Sequence, residues 1–333
     1  MSKYLYAFFG LAIAASGVCK EPELPEIPAA PWFTGPLFCP SAHVIPPGTI
    51  NMEPYYFCSY TNKVYDAEWK KSRVQTFWTN TVQTYVMVGI TDWVDFVITP
   101  SFYYSRSKGV GTFNLNDLTV GIDIQLLKDE LDNYLPALKL GLRELFPITK
   151  FEHLKLRKYG TDAAGLGTFQ TTVYLAASRL FHLAVDRWLE VRLAVDYYVS
   201  SRVHVRSYNT YGGAADTDAL VYPPQGFDVD FAFELNLTKN WVLACDGILQ
   251  YSAARKIGGY WGTLLNFSAS TPNLVVGTMA DLSGGSSINF SIAPAIEYNW
   301  SEDIGLITGV WCSIAGRNSA VYAVWSTGLN LNF

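Results

Sequence analysis

No internal apolar run is long enough for a helix to cross a bilayer, which takes about 20 residues. An ordinary helical membrane protein is thereby excluded. Charge is scarce too: 16% of residues are charged and 50% hydrophobic. The formal net charge of −5 comes with no basic stripe, which argues against nucleic acid as a partner. Histidine stands only at His43, His153, His182 and His204, and none has a serine two positions on. The nucleophile-and-base stretch of a barrel phospholipase is therefore missing, and a barrel-embedded hydrolase is the least supported reading. No phosphate loop, dinucleotide fingerprint or metal-ligand spacing occurs, so neither a cofactor nor a metal is expected and the chain reads as a non-enzyme. The cysteines, Cys19, Cys39, Cys58, Cys245 and Cys312, form no CxxC pair. An oxidising compartment would permit a Cys39–Cys58 bond without requiring one, and Cys245 and Cys312 fall two strands apart.

What the sequence does hold begins with an export leader over residues 1–17. Lys3 supplies the positive start, an apolar core follows, and Ala15-Ser-Gly17 makes a small-residue cleavage site. Cys19 raises lipidation as a rival, although the residues before it fit a lipid-anchor signal poorly. Residues 18–48 are dense in proline, which prevents ladder pairing, so this segment is expected as an extended periplasmic arm or plug. Trp32, Phe33 and Phe38 give the arm apolar surface that must pack on something, either in the lumen or under the barrel floor.

From residue 49 to Phe333, period-two alternation predicts an all-β fold, a transmembrane antiparallel β-barrel. In the last strand Val321, Ala323, Trp325, Leu329, Leu331 and Phe333 share one face, and Tyr322, Ser326, Gly328, Asn330 and Asn332 the other. About 12 strands are expected, near 49–59, 74–90, 93–104, 115–127, 136–148, 167–181, 187–206, 228–237, 241–252, 288–299, 304–315 and 319–333. Alternate links are short, near Thr91-Asp92, Asp129–Leu135, Ala184–Asp186, Lys239-Asn240 and Ser301-Glu302. The intervening links at 60–73, 105–114, 149–166, 207–227 and 253–287 are longer and only Gly316–Asn318 is tight, an order that suits both ends of the chain on the periplasmic side. Trp93, Tyr134, Trp188, Trp241 and Trp300 sit beside the short turns, at the level where aromatic girdles form. Two apolar runs, 260–267 and 274–279, fit either a loop hairpin or two further spanning strands, giving about 14.

Charge on the lipid face is costly, so charged residues of inward parity are the lumen-lining candidates. They are Glu53, Asp95, Asp123, Lys139, Arg143, Glu190, Arg192, Asp196, Asp230, Glu234, Asp246 and Glu297, joined by Arg202, His204 and Arg206 on the seventh strand. These groups could bridge strands across a closed interior, or line a pore that favours cations. The long links are rich in Lys and Arg, as at Lys150, Lys155, Arg157 and Lys158, which suits outer-membrane lipid and lipopolysaccharide phosphates.

Pro31-Trp-Phe-Thr-Gly-Pro-Leu-Phe, Pro40-Ser-Ala-His-Val-Ile-Pro-Pro-Gly48 and Asn51-Met-Glu-Pro-Tyr-Tyr-Phe57, with the Phe333 end, resemble an uncharacterised family of outer-membrane β-barrels of intracellular Gram-negative bacteria. That family is similar to barrel transporters named after the phenol meta-cleavage pathway. The resemblance implies a channel or transporter for small solutes, without a specified solute, catalytic residue or cysteine function. Phe333 would be read by the barrel-assembly machinery. The alternative is a structural or surface-interaction barrel that transports nothing.

Overall fold

The computed structural model describes residues 31–129, 135–262 and 285–333. The expected leader, Cys19, the start of the arm, Tyr134, residues 263–267 and the 274–279 run lie outside the described residues. Residues 1–30 form one unit of the chain and Pro31–Phe333 the other, and only the second is described below.

The barrel wall runs in chain order through β1 (Ile50–Tyr65), β2 (Lys71–Thr91), β3 (Val94–Thr99), β4 (Ser101–Ser107), β5 (Val110–Leu115), β6 (Leu118–Leu127), β7 (Ala137–Phe146), β8 (Gln170–Ala184) and β9 (Arg187–Ser200). After β10 (Val203–Arg206) and β11 (Asp218–Tyr222), which leave the wall, it resumes with β12 (Gly226–Asn236) and β13 (Trp241–Ser252). It skips β14 (Lys256–Tyr260) and finishes with β15 (Ser287–Asn299), β16 (Ile304–Arg317) and β17 (Ser319–Asn332). β3 and β4 both pair with β2, and β6 and β5 pair with them in turn, so each couple is one wall strand interrupted once. The 14 sheet segments therefore make 14 − 2 = 12 wall strands. Pro100 marks the first interruption. It has no N–H to lose, and its carbonyl still accepts from Thr84 N at 3.0 Å.

β1 closes the ring by pairing with β2 on one side and β17 on the other. Ile50 and Phe333 exchange both backbone hydrogen bonds at this seam, at 3.1 and 2.9 Å. β13 pairs directly with β15 along its whole length, from Trp241↔Tyr298 to Ser252↔Ser287. No room remains between them for two further spanning strands, so the barrel has twelve and not fourteen.

Alternation sets which face meets lipid. On β9, Leu193, Val195 and Tyr197 are exposed while Arg192 and Ala194 are buried. Phe96, Ile122, Leu142, Val173, Phe231, Leu243, Ile296 and Trp325 continue the exposed apolar coat around the barrel. Exposed apolar side chains over a buried polar interior invert a soluble protein, and hydrocarbon outside accounts for that.

Several sequence expectations need correction. The links at 60–73 and 105–114 are mostly strand. β1 and β2 run on to a tight turn where Asp66 N bonds Lys70 O at 2.9 Å, and β4 and β5 meet at a two-residue turn. That turn needs positive φ at both positions, Lys108 at 47° and Gly109 at 80°. Thr61-Asn-Lys63 and Ser105-Arg-Ser107 are polar on both faces, so alternation does not mark the strand there. The seventh strand is likewise not one element over 187–206. β9 ends at Ser200, where its neighbour β8 begins, and Ser201 N turns to Phe169 O at 2.8 Å. The chain then pairs in a separate three-stranded sheet, β10-β11-β14. Arg202 falls in the break, and His204 and Arg206 belong to that sheet and not to the barrel wall; His204 Nε2 lies 2.7 Å from Asp218. Trp93, Trp241 and Trp300 are exposed at the short turns, but Trp188 is buried, and its backbone N–H donates to Asn236 Oδ1 at 2.6 Å.

Candidate functional site: the lumen and its arm

A chain segment without ladder partners still has backbone N–H groups to satisfy once buried. Residues 31–48 carry this problem into the barrel, and inward-facing side chains solve it. Asn299 Nδ2 donates to Trp32 O at 2.9 Å, and Thr34 N donates to Glu297 Oε2 at 2.9 Å. Asp246 then accepts three successive backbone N–H groups, from Leu37, Phe38 and Cys39, at 3.1, 3.2 and 3.0 Å. Further on, Val44 N donates to Gln125 Oε1 and Ile45 N to Asp95 Oδ2, both at 2.9 Å. The arm thus enters near the β15–β16 turn, reaches mid-wall at Asp246, and returns to the short-turn rim before β1.

Its side chains find apolar wall on the way. Leu37 packs with Tyr55, Ala244, Ala293, Ala295 and Ile307. The Phe38 ring lies 4.6 Å from Trp311 and 6.2 Å from Phe57. Cys39 sits among Ala137, Ala176, Ala194 and Ala232, and its Sγ meets Asp230 O at 3.7 Å. Burial pushes this thiol well above its ordinary pKa. All four described cysteines are free, so no Cys39–Cys58 bond forms. Alanines on the inner wall leave the space the arm fills. Gly89 does the same at the rim, where a Cβ would lie 1.9 Å from Pro46 O. Trp32 and Phe33 reach the site differently: the Trp32 ring carries Lys239 Nζ at 4.4 Å, and Phe33 lines the lumen cavity.

The remaining charged candidates sort into networks. Asp123 is held by Arg143 through two bonds of 2.6 and 2.9 Å and by Lys139 at 3.2 Å, and it accepts the Tyr174 hydroxyl at 2.7 Å. Arg192 bridges Glu190 at 3.1 Å and Glu234 at 2.8 Å. Glu53, Asp196 and Asp230 take no ion pair or side-chain hydrogen bond among the described residues. Sequence reasoning found the charges and missed their neutral partners, Gln125, Asn299, Tyr174 and the alanines. The amide positions carry inward parity, a signal that could have flagged them.

At the long-loop end, residues 147–169 fold back on the inner wall. The Tyr103 hydroxyl donates to Ala163 O, and Ser105 Oγ and Asn114 Nδ2 donate to Thr161 O at 3.0 and 2.9 Å. Asp117 fastens the loop by accepting from Thr149 N, Thr149 Oγ1 and Leu166 N, at 3.1, 2.6 and 2.9 Å. A cavity of about 950 Å³ lies against the arm and extends along the wall to Asn116 and Asp117.

Neither a family model nor a curated protein matches the sequence. Solved structures do. The fold is similar to that of an outer membrane channel from Pseudomonas putida F1, with a TM-score of 0.63 and 14% identity, over 88% of this chain and 98% of that one. The chain has an outer-membrane channel's barrel fold. Weaker likenesses reach the transport unit of the autotransporter AIDA-I from Escherichia coli, at 9% identity and TM-score 0.43, covering 86% of this chain and 90% of that one. The NanC porin gives 9% identity and TM-score 0.37, covering 85% and 98%.

Proposed function

We propose that this protein is an outer-membrane channel for small solutes that prefers cations, with the arm as a plug in its lumen. The short turns and both chain ends face the periplasm in this reading, and the long links face outward. The basic long links meet lipopolysaccharide phosphates, and exposed Phe333 at the seam serves the assembly machinery. The resemblance to the barrels of intracellular bacteria belongs to the same reading.

One observation carries it. Among the described residues, Glu53, Asp95, Asp123, Glu190, Asp196, Asp230, Glu234, Asp246 and Glu297 share the inner wall of a lipid-coated barrel with Lys139, Arg143 and Arg192, and Lys128 joins them at the cavity. An interior with surplus carboxylates lowers the energy of cations and raises that of anions. The interior is also occupied, by the arm at one end and the 147–169 loop at the other, which favours the rival reading of a closed structural barrel. A salt-gradient measurement on the full chain in planar bilayers separates the two. Discrete current steps with a cation-selective reversal potential are expected. A bilayer that stays silent, or an anion-selective potential, overturns the channel reading.

A further inference from the structure

The lumen's carboxylates differ in what they already hold. Asp95, Asp246 and Glu297 accept arm N–H groups, Asp123 binds Lys139 and Arg143, and Glu190 and Glu234 bind Arg192. The three wall bases are all engaged. Glu53, Asp196 and Asp230 are left over, and of these Glu53 and Asp196 line the cavity of about 950 Å³. Six pairings separate their strands, through β1–β2, β2–β3, β3–β6, β6–β7, β7–β8 and β8–β9, so in a ring of twelve they face each other across the lumen.

The surroundings of Glu53 specify the counter-charge. Its cross-strand partner is Tyr85, and Tyr55 follows it on the same face. The two rings stand at 90° with centroids 6.0 Å apart, and both line the cavity. Gln83 Nε2 donates to the Tyr85 hydroxyl at 2.7 Å, which fixes that ring. A carboxylate beside perpendicular ring faces is poor at coordinating a hard metal ion, which needs about six or more oxygens. It suits a diffuse organic cation, whose charge meets π faces and whose alkyl groups replace water.

We propose that the cavity binds small organic ammonium compounds, with the cationic head at Glu53 against the Tyr85 ring, which Tyr55 buttresses edge-on, and Asp196 attracting it from across the lumen. This rests on the channel reading for its physiological meaning, though the binding can be measured without it. The test is a calorimetric titration of the full chain in detergent micelles at pH 8 with choline and with its neutral isostere 3,3-dimethyl-1-butanol. Choline is expected to bind and the isostere to bind at least about tenfold more weakly. Glu53→Gln and Tyr85→Leu should each weaken choline about tenfold, and Asp196→Asn less. Equal affinity for the two probes, no choline heat at all, or displacement of choline by equimolar sodium overturns the inference. The comparison of probes uses the unaltered protein, so a variant that fails to fold does not blunt it. Cation-selective current without choline binding would sink this inference and leave the channel intact, whereas choline binding in a silent barrel would sink the channel alone.

Discussion

Removing residues 31–48 is expected to raise the single-channel conductance several-fold. The arm fills the short-turn half of the lumen, and a barrel of twelve strands has little cross-section to spare beside a peptide of this bulk. Its removal unpairs no base, because Asp246, Asp95, Glu297 and Gln125 lose only backbone donors and gain water in exchange. The barrel's own ladder is untouched from Ile50 onward. The freed carboxylates should also sharpen cation preference, so reversal potential and conductance rise together. Planar-bilayer recordings of both forms check this; unchanged conductance would mean that the arm is not what narrows the lumen.

The second large effect belongs to Asp123. Its carboxylate is almost fully buried and holds Lys139, itself buried, and the half-buried Arg143. Asp123→Ala leaves two cations facing each other, with the cross-strand acid, Asp95, accepting from Ile45 N through Oδ2. Breaking a buried pair from one side costs about 3–5 kcal/mol. Replacing Asp123, Lys139 and Arg143 together by apolar residues of similar volume should recover most of that loss, because no charge is then left unpaired. The urea midpoint in vesicles reads both variants. A loss below about 1 kcal/mol in the single variant would show that water reaches this triad freely.

How far the sequence disclosed this arrangement depends on the range of each interaction. Alternation in β17 or β12 is local, so a period of two in Val321–Phe333 or Asp228–Leu237 was enough to fix the face each residue takes. Closure of twelve strands followed from their number and from the rhythm of short and long links. Where the driving force is not alternation, no local pattern marks the element. β1 continues to Tyr65 and β4 to Ser107 through residues polar on both sides, and Arg202, His204 and Arg206 were drawn onto the wall because their parity matched Glu190 and Arg192. The arm was legible as a Pro-rich segment with aromatics in need of cover. Its route was not, since Leu37 meets Asp246 across 209 residues of sequence and no local pattern records such a contact. The inward acids divide into arm acceptors, base partners and three left free, Glu53, Asp196 and Asp230.

The arm's place inside the barrel is most directly read by photo-cross-linking. With Phe38 replaced by p-benzoylphenylalanine in the full chain in lipid vesicles, irradiation should give adducts on Trp311 and Phe57, whose rings lie 4.6 and 6.2 Å from that of Phe38. Adducts confined to lipid, to outward-facing residues or to the turns would contradict it.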